Sequence, residues 1–466
     1  MYPHAWTKIL SRPHSVQRIS NFFLNFFTVG LPEDHSVRMN SAIIIPSEGK
    51  YDYYFFEDEW MEFLVGVERV TFGMNKATIE QSFESLNADM TVLGQEIFDA
   101  NIADLHTTTL ADWFVRYCAR LQGLGLFAFT PSAIDGVTAA KLQASLEMID
   151  SVKAEEWLQV IGTPTTTNAM TAQRMDLLDI AASGDDSRLV DHAKRFFWLP
   201  VYTIGDKIWS MDDFTKQRAD LENPEAELAK MRTDFAERSR RYNEVLREIR
   251  PDDSLRNTIE IIHLYTHLRD ARIDLTRIVF CLIAPFYQDL ARRMNVSLSC
   301  VLNLLNEEIL AFLYDGSLPL NVAERSTHVV YAHNATVEIL TGKDADDRIA
   351  ADLAAVLNVA HKEIKGMIAY RGIVQGKARV IHSADQLSEL EHGEILVTHH
   401  TTPVFVLAMK KAAAIVTDEG GITSHAAIVS RELQIPCITA TRHGSSMIQT
   451  GDIIEVNADN GTVKIL

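Results

Sequence analysis

The residues best suited to chemistry lie in the sequence TDEGGITSHAAIVSRE, which begins at residue 417. It places two glycines, two small hydroxyl residues and one histidine directly before an apolar helical run. Gly420 and Gly421 permit a tight turn and a close approach of the backbone to a ligand. Thr423 or Ser424 can cap a helix that begins near His425. We therefore predict that His425 lies at a turn between a buried strand and a helix.

Phosphoryl transfer is the chemistry that suits such a turn. The first amides of a helix are unpaired and its positive dipole end favours an anion, so they can hold the oxygens of a phosphoryl group. A neutral imidazole is nucleophilic near neutral pH, because its unperturbed pKa is about 6.5. A single histidine at a helix start is also a common surface or capping residue. The turn alone therefore leaves a structural role for His425 open.

The elements that must position this turn are short and mostly strand-like. Beyond residue 366 the runs IVQGKARVI, EILVTH, AAIVTD, PCITAT, DIIEVN and TVKIL read as strands, with two or three helical patterns between them. Asn460 and Gly461 separate the last two runs and give a strong hairpin signal. The sequence thus predicts a compact α/β domain over residues 366–466.

The preceding chain has a different pattern. Residues 41–56 contain β-branched and aromatic runs broken by turn residues, which predicts a small hairpin. Residues 75–312 repeat apolar side chains at three- and four-residue intervals, the helical period. We therefore divide the chain into a mainly helical body at 1–340, a linker at 341–365 and the C-terminal domain.

The run TDEGGITSHAAIVSRELQIPCITAT closely resembles the phosphohistidine signature of the phosphoenolpyruvate (PEP)-utilising enzyme family, which includes PEP synthase, pyruvate phosphate dikinase and rifampin phosphotransferase. The runs GIVQGKARVI, GEILVTHHTTP, MKKAAAIVTD and GDIIEVNADNGTVKIL resemble, in order, the rest of its swivelling domain. The resemblance covers residues 366–466. It implies a multidomain protein in which a mainly α-helical N-terminal body with a small β element precedes an α/β swivelling phosphohistidine domain of the β/β/α type.

The same resemblance assigns roles to individual residues. It implies that His425 carries the phosphoryl group and that five neighbours support it. These are Gly420, Gly421, Thr423, Ser424 and Arg431. In dikinases with this motif the threonine two residues before the histidine is the target of a regulatory kinase, so the resemblance implies a regulatory role for Thr423. One departure is visible after TTP, where many members have an acidic residue and this chain has Val404.

No glycine-rich phosphate loop follows a strand in the upstream sequence, and strands do not alternate with helices there. The resemblance therefore implies that ATP and Mg²⁺ bind to a separate ATP-grasp partner and that this chain holds no cofactor of its own. The expected function is a phosphotransferase component, similar to dikinases and PEP synthases, that accepts phosphoryl on His425 and passes it to a small-molecule acceptor. The alternatives are a non-catalytic regulatory protein that uses the domain as an interaction module, and a metabolite-binding protein without phosphoryl chemistry.

Candidate acceptor residues lie in the run HLYTHLRDARIDLTRIVF. Arg269 and Arg272 share a helical face and suit an anionic or phosphoryl-accepting pocket. The favoured alternative is a solvated face on which the arginines pair with Asp270 and Asp274.

Composition limits the remaining classes of function. With 44 Lys+Arg against 63 Asp+Glu the net charge is −19, which disfavours nucleic acid and anionic membranes as partners. Four scattered cysteines without a CxxC pair predict a reduced, cytoplasmic protein and no metal framework. The pair His399–His400 also lacks the spacing of metal ligands.

The apolar run ISNFFLNFFTVGL is too short to span a membrane and predicts a core helix. Its phenylalanines favour the core over a ligand pocket; they are Phe22, Phe23, Phe26 and Phe27.

Overall fold

The structure, a computed structural model, has an N-terminal helical body followed by a C-terminal sheet-rich domain. It describes residues 6–12, 30–47, 50–319, 322, 328–333, 336–357, 363–382, 384–401, 405–421 and 424–466. Thr423, Val404 and the predicted core helix with its four phenylalanines lie outside these ranges.

Helices of the body pack around one long central helix. They are α1 (Glu57–Phe72), α2 (Lys76–Asp99), α3 (Thr107–Gln122), α4 (Gly125–Ala133), α5 (Ala139–Ile149), α6 (Ala154–Ile161), α7 (Ala169–Ser183), α8 (Leu189–Phe196), α9 (Met211–Ala219), α10 (Pro224–Ile249), α11 (Asp253–Met294), α12 (Leu298–Leu302) and α13 (Asn306–Asp315). A π-helical turn, Ile134–Thr138, joins α4 to α5.

The central helix α11 is long because its apolar residues keep one helical period. Ile261, Leu268, Leu275 and Leu282 recur every seven residues and are all buried, as the stripe of a helix packed along others requires. It packs against α2 and α4. Its middle, residues 269–274, is half-buried throughout.

An antiparallel sheet stands beside the helices, with the strand order β1-β3-β2-β4-β5. Its strands are β1 (Trp6–Arg12), β2 (Ser41–Ser47), β3 (Lys50–Phe56), β4 (His328–His333) and β5 (Thr336–Thr341). The predicted hairpin at 41–56 corresponds to β2 and β3. These strands pair in antiparallel register, with Ser47 opposite Lys50. The sheet is larger than that hairpin, because β4 returns to pair with β2.

The segment assigned to a linker, 341–365, contains the helix α14 (Gly342–Leu357). Ala345 and Leu353 of this helix are buried against Trp6, Ile43 and Tyr54 of the N-terminal sheet. The apolar residues of this alanine-rich helix therefore pack against the N-terminal sheet, and α14 belongs to the body.

The C-terminal domain is built on a mixed sheet with the strand order β6-β13-β12-β8-β9-β10-β11-β7. Its elements are β6 (Glu363–Lys365), β7 (Met367–Tyr370), β8 (Ile373–Ile381), β9 (Ile395–Thr398), α15 (Val406–Met409), β10 (Ala414–Thr417), α16 (His425–Leu433), β11 (Cys437–Thr439), α17 (Gly444–Met447), β12 (Ile453–Asn457) and β13 (Thr462–Ile465). Since β6 and β7 are neighbours in the chain but lie at opposite edges of the order, the sheet curls round on itself.

Both faces of this curled sheet are buried. Ala414 and Val416 of β10 point into one core with the antiparallel strands, whereas Ile415 points into a second core. Ala426 and Ala427 of α16 fill that second core. Strands covered on both faces read as continuous apolar runs, as AAIVTD does.

No helix within the described ranges has the length and apolar character needed to cross a membrane.

Candidate functional site

His425 is the first residue of α16, at the end of the turn that follows β10. Ser424 is the N-cap, in extended conformation, and its hydroxyl accepts a hydrogen bond from the amide of Ala427 at 3.4 Å. The predicted order of strand, glycine turn and capped helix is therefore present. It leaves the imidazole beside the unpaired amides of the helix start.

The two glycines of the turn are required for different reasons. Gly420 has φ 106°, and a Cβ there would lie 2.7 Å from the Ser424 side chain, so this glycine allows the cap to form. Gly421 faces the helical body, where a Cβ would lie 2.6 Å from the Cβ of Asp135. The first glycine therefore shapes the loop, and the second lets the loop approach the body.

Thr401 is the residue that contacts the His425 ring directly. Its Oγ1 lies 2.8 Å from Nδ1 of His425, and the threonine is buried. When Nδ1 carries the proton and donates to this oxygen, Nε2 keeps a free lone pair. Burial lowers the pKa of His425, and the charge of Asp270 opposes that shift only in part. The imidazole is therefore neutral at pH 7, as a nucleophile must be.

The helical body presents charged groups to this loop. Asp270 on α11 interacts electrostatically with His425, and its Oδ2 accepts a hydrogen bond of 2.8 Å from Asn168 Nδ2. Asp135, in the π-helical turn, packs on Gly421 and forms an ion pair of 3.0 Å with Arg269. A predicted substrate residue, Arg269, thus lies at the interface beside the histidine loop.

The other two predicted arginines have different surroundings. Arg272 lies close enough to Tyr265 to affect the pKa of that phenol, as Glu33 does. Arg431 donates from Nε to the carbonyl of Ala369 on β7 at 2.9 Å. It lies six residues along α16 from His425, about 9 Å along the helix axis. This contact joins the helix to the sheet.

His399 forms a buried cluster at the base of the loop. Its Nδ1 lies 3.4 Å from Asp418 Oδ2 and its Nε2 lies 2.9 Å from Glu419 Oε1. Burial by itself lowers the pKa of His399, but hydrogen bonds to both carboxylates and their charges outweigh it and raise the pKa to about 9. Asp418 also accepts hydrogen bonds from Thr441 and from the amide of Ser445. This charged cluster fixes the two residues that precede the glycines.

Among the residues that the structure describes, no group of three or more histidine, cysteine, aspartate or glutamate side chains is arranged to hold a metal ion. His399 instead lies between two carboxylates in an ion-pair network.

Sequence reasoning did not single out Thr401, Asp135 or His399 as site residues, and treated Asp270 only as a partner for arginine. Thr401 lies within the run GEILVTHHTTP, which the resemblance had already included, so its position after a strand was the available signal. Asp135 and Asp270 lie some 290 and 155 residues before His425, and no local pattern connects them with it.

The family described as PEP-utilising enzyme, mobile domain, matches residues 390–461. These residues include β9, the glycine turn, His425 and the whole of α16. Residues 390–461 are a PEP-utilising enzyme mobile domain. The resemblance that the motifs carry is therefore confirmed for this part of the chain.

Curated relatives match about a quarter of this chain. A probable PEP synthase of Archaeoglobus fulgidus is 50% identical over 100 residues, which are 22% of this chain and 13% of that protein. The PEP synthase of Pyrococcus furiosus is 45% identical over 117 residues, or 25% of this chain and 14% of that protein. The chain thus spans only a small part of the length of these relatives.

Among solved structures, the holo-form of Thermococcus kodakaraensis aconitase X aligns with 23% of this chain at 22% identity and a TM-score of 0.19. A likeness at this level carries no argument about fold or function.

Proposed function

We propose that this chain is a phosphotransferase component in which the mobile domain carries a phosphoryl group on His425. In this proposal a separate ATP-grasp partner supplies the group, and a small molecule bound at the helical body receives it. The observation that carries the proposal is the position of His425, a neutral imidazole at the first residue of a capped helix in a PEP-utilising enzyme mobile domain.

The chemistry of charging follows from the contact with Thr401. With Nδ1 donating to Thr401 Oγ1, Nε2 attacks phosphorus, the bond to the donor oxygen breaks, and the electron pair leaves with that oxygen. The ring becomes a phosphorylated imidazolium that still donates to Thr401. The first amides of α16 are available to the new phosphoryl oxygens.

The reason to propose a separate donor lies in the upstream sequence, which has no glycine-rich phosphate loop after a strand. ATP and Mg²⁺ are then held by the partner, whose chemistry is activation of the nucleotide. We also propose a reducing, cytoplasmic setting, since the four cysteines are free thiols.

Chemical charging tests the carrier without the partner. Phosphoramidate phosphorylates histidine, and the product is labile in acid but stable in base. At limiting reagent, His425 should be labelled first, because it is neutral and faces helix amides, and His425→Ala should lose this label. The matched control is His392→Ala, since His392 is exposed on a turn. Labelling spread evenly over exposed histidines, with no preference for His425, would contradict the proposal.

A second experiment tests the separate donor. The purified chain incubated with labelled ATP and Mg²⁺ should remain unlabelled, because activation needs the ATP-grasp partner. Rapid acid-labile labelling by ATP alone would show that this chain activates nucleotide itself.

The second candidate is a regulatory protein that uses the mobile domain as an interaction module. Its supporting observation is the close packing of Gly421 on Asp135, which makes the histidine loop part of a domain interface. In that case the phosphoryl group stays on His425 until hydrolysis, and added small acceptors do not shorten its lifetime.

A further inference from the structure

We propose that the ion pair between Arg442 and Glu57 holds the mobile domain on the helical body, and that this docked position shields His425 from its phosphoryl donor. The ion pair therefore regulates how readily the carrier is charged. The shielding rests on the proposed function, since charging of His425 is the step that it limits.

The ion pair joins two residues that are 385 positions apart in the chain. Arg442 Nη1 donates a hydrogen bond of 2.7 Å to Glu57 Oε1. Arg442 follows β11 in the mobile domain, whereas Glu57 is the first residue of α1 in the body. Both side chains are partly exposed, 39% and 52%, so the pair can open without leaving an unmatched charge buried. A contact of this kind is readily reversible.

Hydrogen bonds fix Arg442 relative to the histidine loop. Its amide donates to the carbonyl of Asp418 at 3.0 Å, and the hydroxyl of the neighbouring Thr441 donates to the carbonyl of Thr417 at 3.0 Å. Both acceptors lie just before the glycine turn. Arg442 has φ 63°, a left-handed conformation that is uncommon outside glycine and that these bonds help to hold. A movement of Arg442 therefore moves the loop with it.

The docked loop leaves little room for a donor beside it. Gly421 is buried, and it lies so close to Asp135 of the π-helical turn that an added Cβ would be 2.6 Å from the Cβ of that residue. His425 itself is half-buried. A phosphoryl donor therefore needs the loop to leave the body.

The interface is thin enough for one ion pair to matter. Among the described residues, no hydrophobic cluster contains side chains of both the body and the mobile domain. The docked position therefore lacks the apolar core of a permanent interface. An exposed ion pair changes an equilibrium by up to about 5-fold, and in this interface that change is not masked by apolar packing.

Two charge reversals test the contact from either side. Arg442→Glu and Glu57→Arg each place like charges opposite one another. In the full chain each should speed hydrogen exchange of the Gly420 and Gly421 amides by about 2- to 5-fold, and should speed labelling of His425 by phosphoramidate to a similar extent. Combining the two reversals should restore both rates, because the pair is rebuilt with its charges exchanged.

Lys464→Glu is the matched control. It makes the same change of charge at an exposed position on β13, and it should leave both rates unchanged. Salt gives an independent comparison. Raising the ionic strength from about 0.1 M to about 1 M shortens the Debye length from about 10 Å to about 3 Å, and should speed exchange in the unaltered chain more than in Arg442→Glu.

Each other result overturns part of the inference. Equal exchange rates in Arg442→Glu and Lys464→Glu would overturn the docking contact, as would a combined reversal that exchanges as fast as the single ones. Faster exchange without faster labelling of His425 would overturn the shielding. Absence of label on His425 in every chain would instead refute the proposed function, and the exchange rates would still decide the docking contact.

Discussion

At the scale of residues, His425 depends on two neighbours that act on different properties of its ring. Thr401 Oγ1 lies 2.8 Å from Nδ1 and can accept its proton, in the tautomer that leaves Nε2 unprotonated. Asp270 partly offsets the effect of burial on the pKa of His425. The first neighbour belongs to the mobile domain, as the histidine does, whereas the second belongs to the body.

His399 makes the stability of the mobile domain depend on pH. Its folded-state pKa is raised to about 9, so its ion pairs stabilise the fold fully below the unfolded value of about 6.5 and are lost as pH rises to about 9. The shift corresponds to at most about 3 kcal/mol.

In denaturant melts from pH 6 to pH 10, His399→Gln should be less stable than the unaltered chain at pH 6, and the difference should shrink by pH 10. A difference that is constant with pH would mean that His399 acts only through packing. His382→Gln, at an exposed position, serves as the control.

At the scale of elements, the site forms where two parallel strands end. Strands β9 and β10 are neighbours and pair in parallel register, with Thr398 opposite Thr417. The segments that follow them therefore emerge at the same edge of the sheet, which brings Thr401 to His425 and His399 to Asp418. Polar residues that follow adjacent parallel strands are a common source of sites in α/β domains.

The glycine turn gives a paired prediction at this scale. Gly420→Ala places a Cβ at φ 106° against Ser424 and should destabilise the mobile domain itself by about 1 to 3 kcal/mol. Gly421→Ala places a Cβ against Asp135 and should leave the domain stable while weakening its docking on the body. Thermal melts of the separate mobile domain measure the first effect.

Docking of the mobile domain on the body is measured in the full chain, as protection of the glycine-turn amides against hydrogen exchange. Asp135→Gly should restore docking of Gly421→Ala, because it removes the opposing Cβ, and should not rescue Gly420→Ala. Equal loss of domain stability in both glycine variants would show that the second glycine shapes the loop as well.

At the scale of the whole molecule, the chain contains separate cores. The two cores of the C-terminal sheet contain only residues from 364 onward. Among the described residues, those of the large helical core all come from the body. Contacts between the parts include the ion pair of 2.7 Å between Arg442 and Glu57 and the close approach of Gly421 to Asp135. An interface of this kind suits the swivelling motion that the family resemblance implies.

We therefore expect residues 363–466 to fold without the body. The isolated fragment should melt in one cooperative transition and give a dispersed amide NMR spectrum, because each of its two cores is complete. Beginning the fragment at 367 instead should destabilise it, since β6 pairs with β13 at the sheet edge. A 363–466 fragment without cooperative unfolding would show that the body contributes to its core.

The sequence by itself determined the features that depend on neighbours in the chain. Residue types within a few positions predict the capped turn before α16. They also predict the hairpin of β12 and β13, in which Asn457 lies opposite Thr462. The mobile domain was also recognisable, since its motifs follow one another over about 100 residues.

Tertiary structure alone decided which distant residues meet. Pairing of β4 with β2 joins segments almost 290 residues apart. Local sequence patterns therefore predicted only the hairpin of β2 and β3. The same patterns assigned the segment of α14 to a linker. The same applies at the site. The sequence predicted Gly421 as a turn residue because glycine has a flexible backbone. Its contact with Asp135 was not predicted, because Asp135 lies in a π-helical turn of the body. Asp270 also comes from the body, and its charge acts on the pKa of His425. Local sequence encodes backbone preference and periodicity, whereas contacts between domains depend on how complete surfaces fit together, which no short pattern contains.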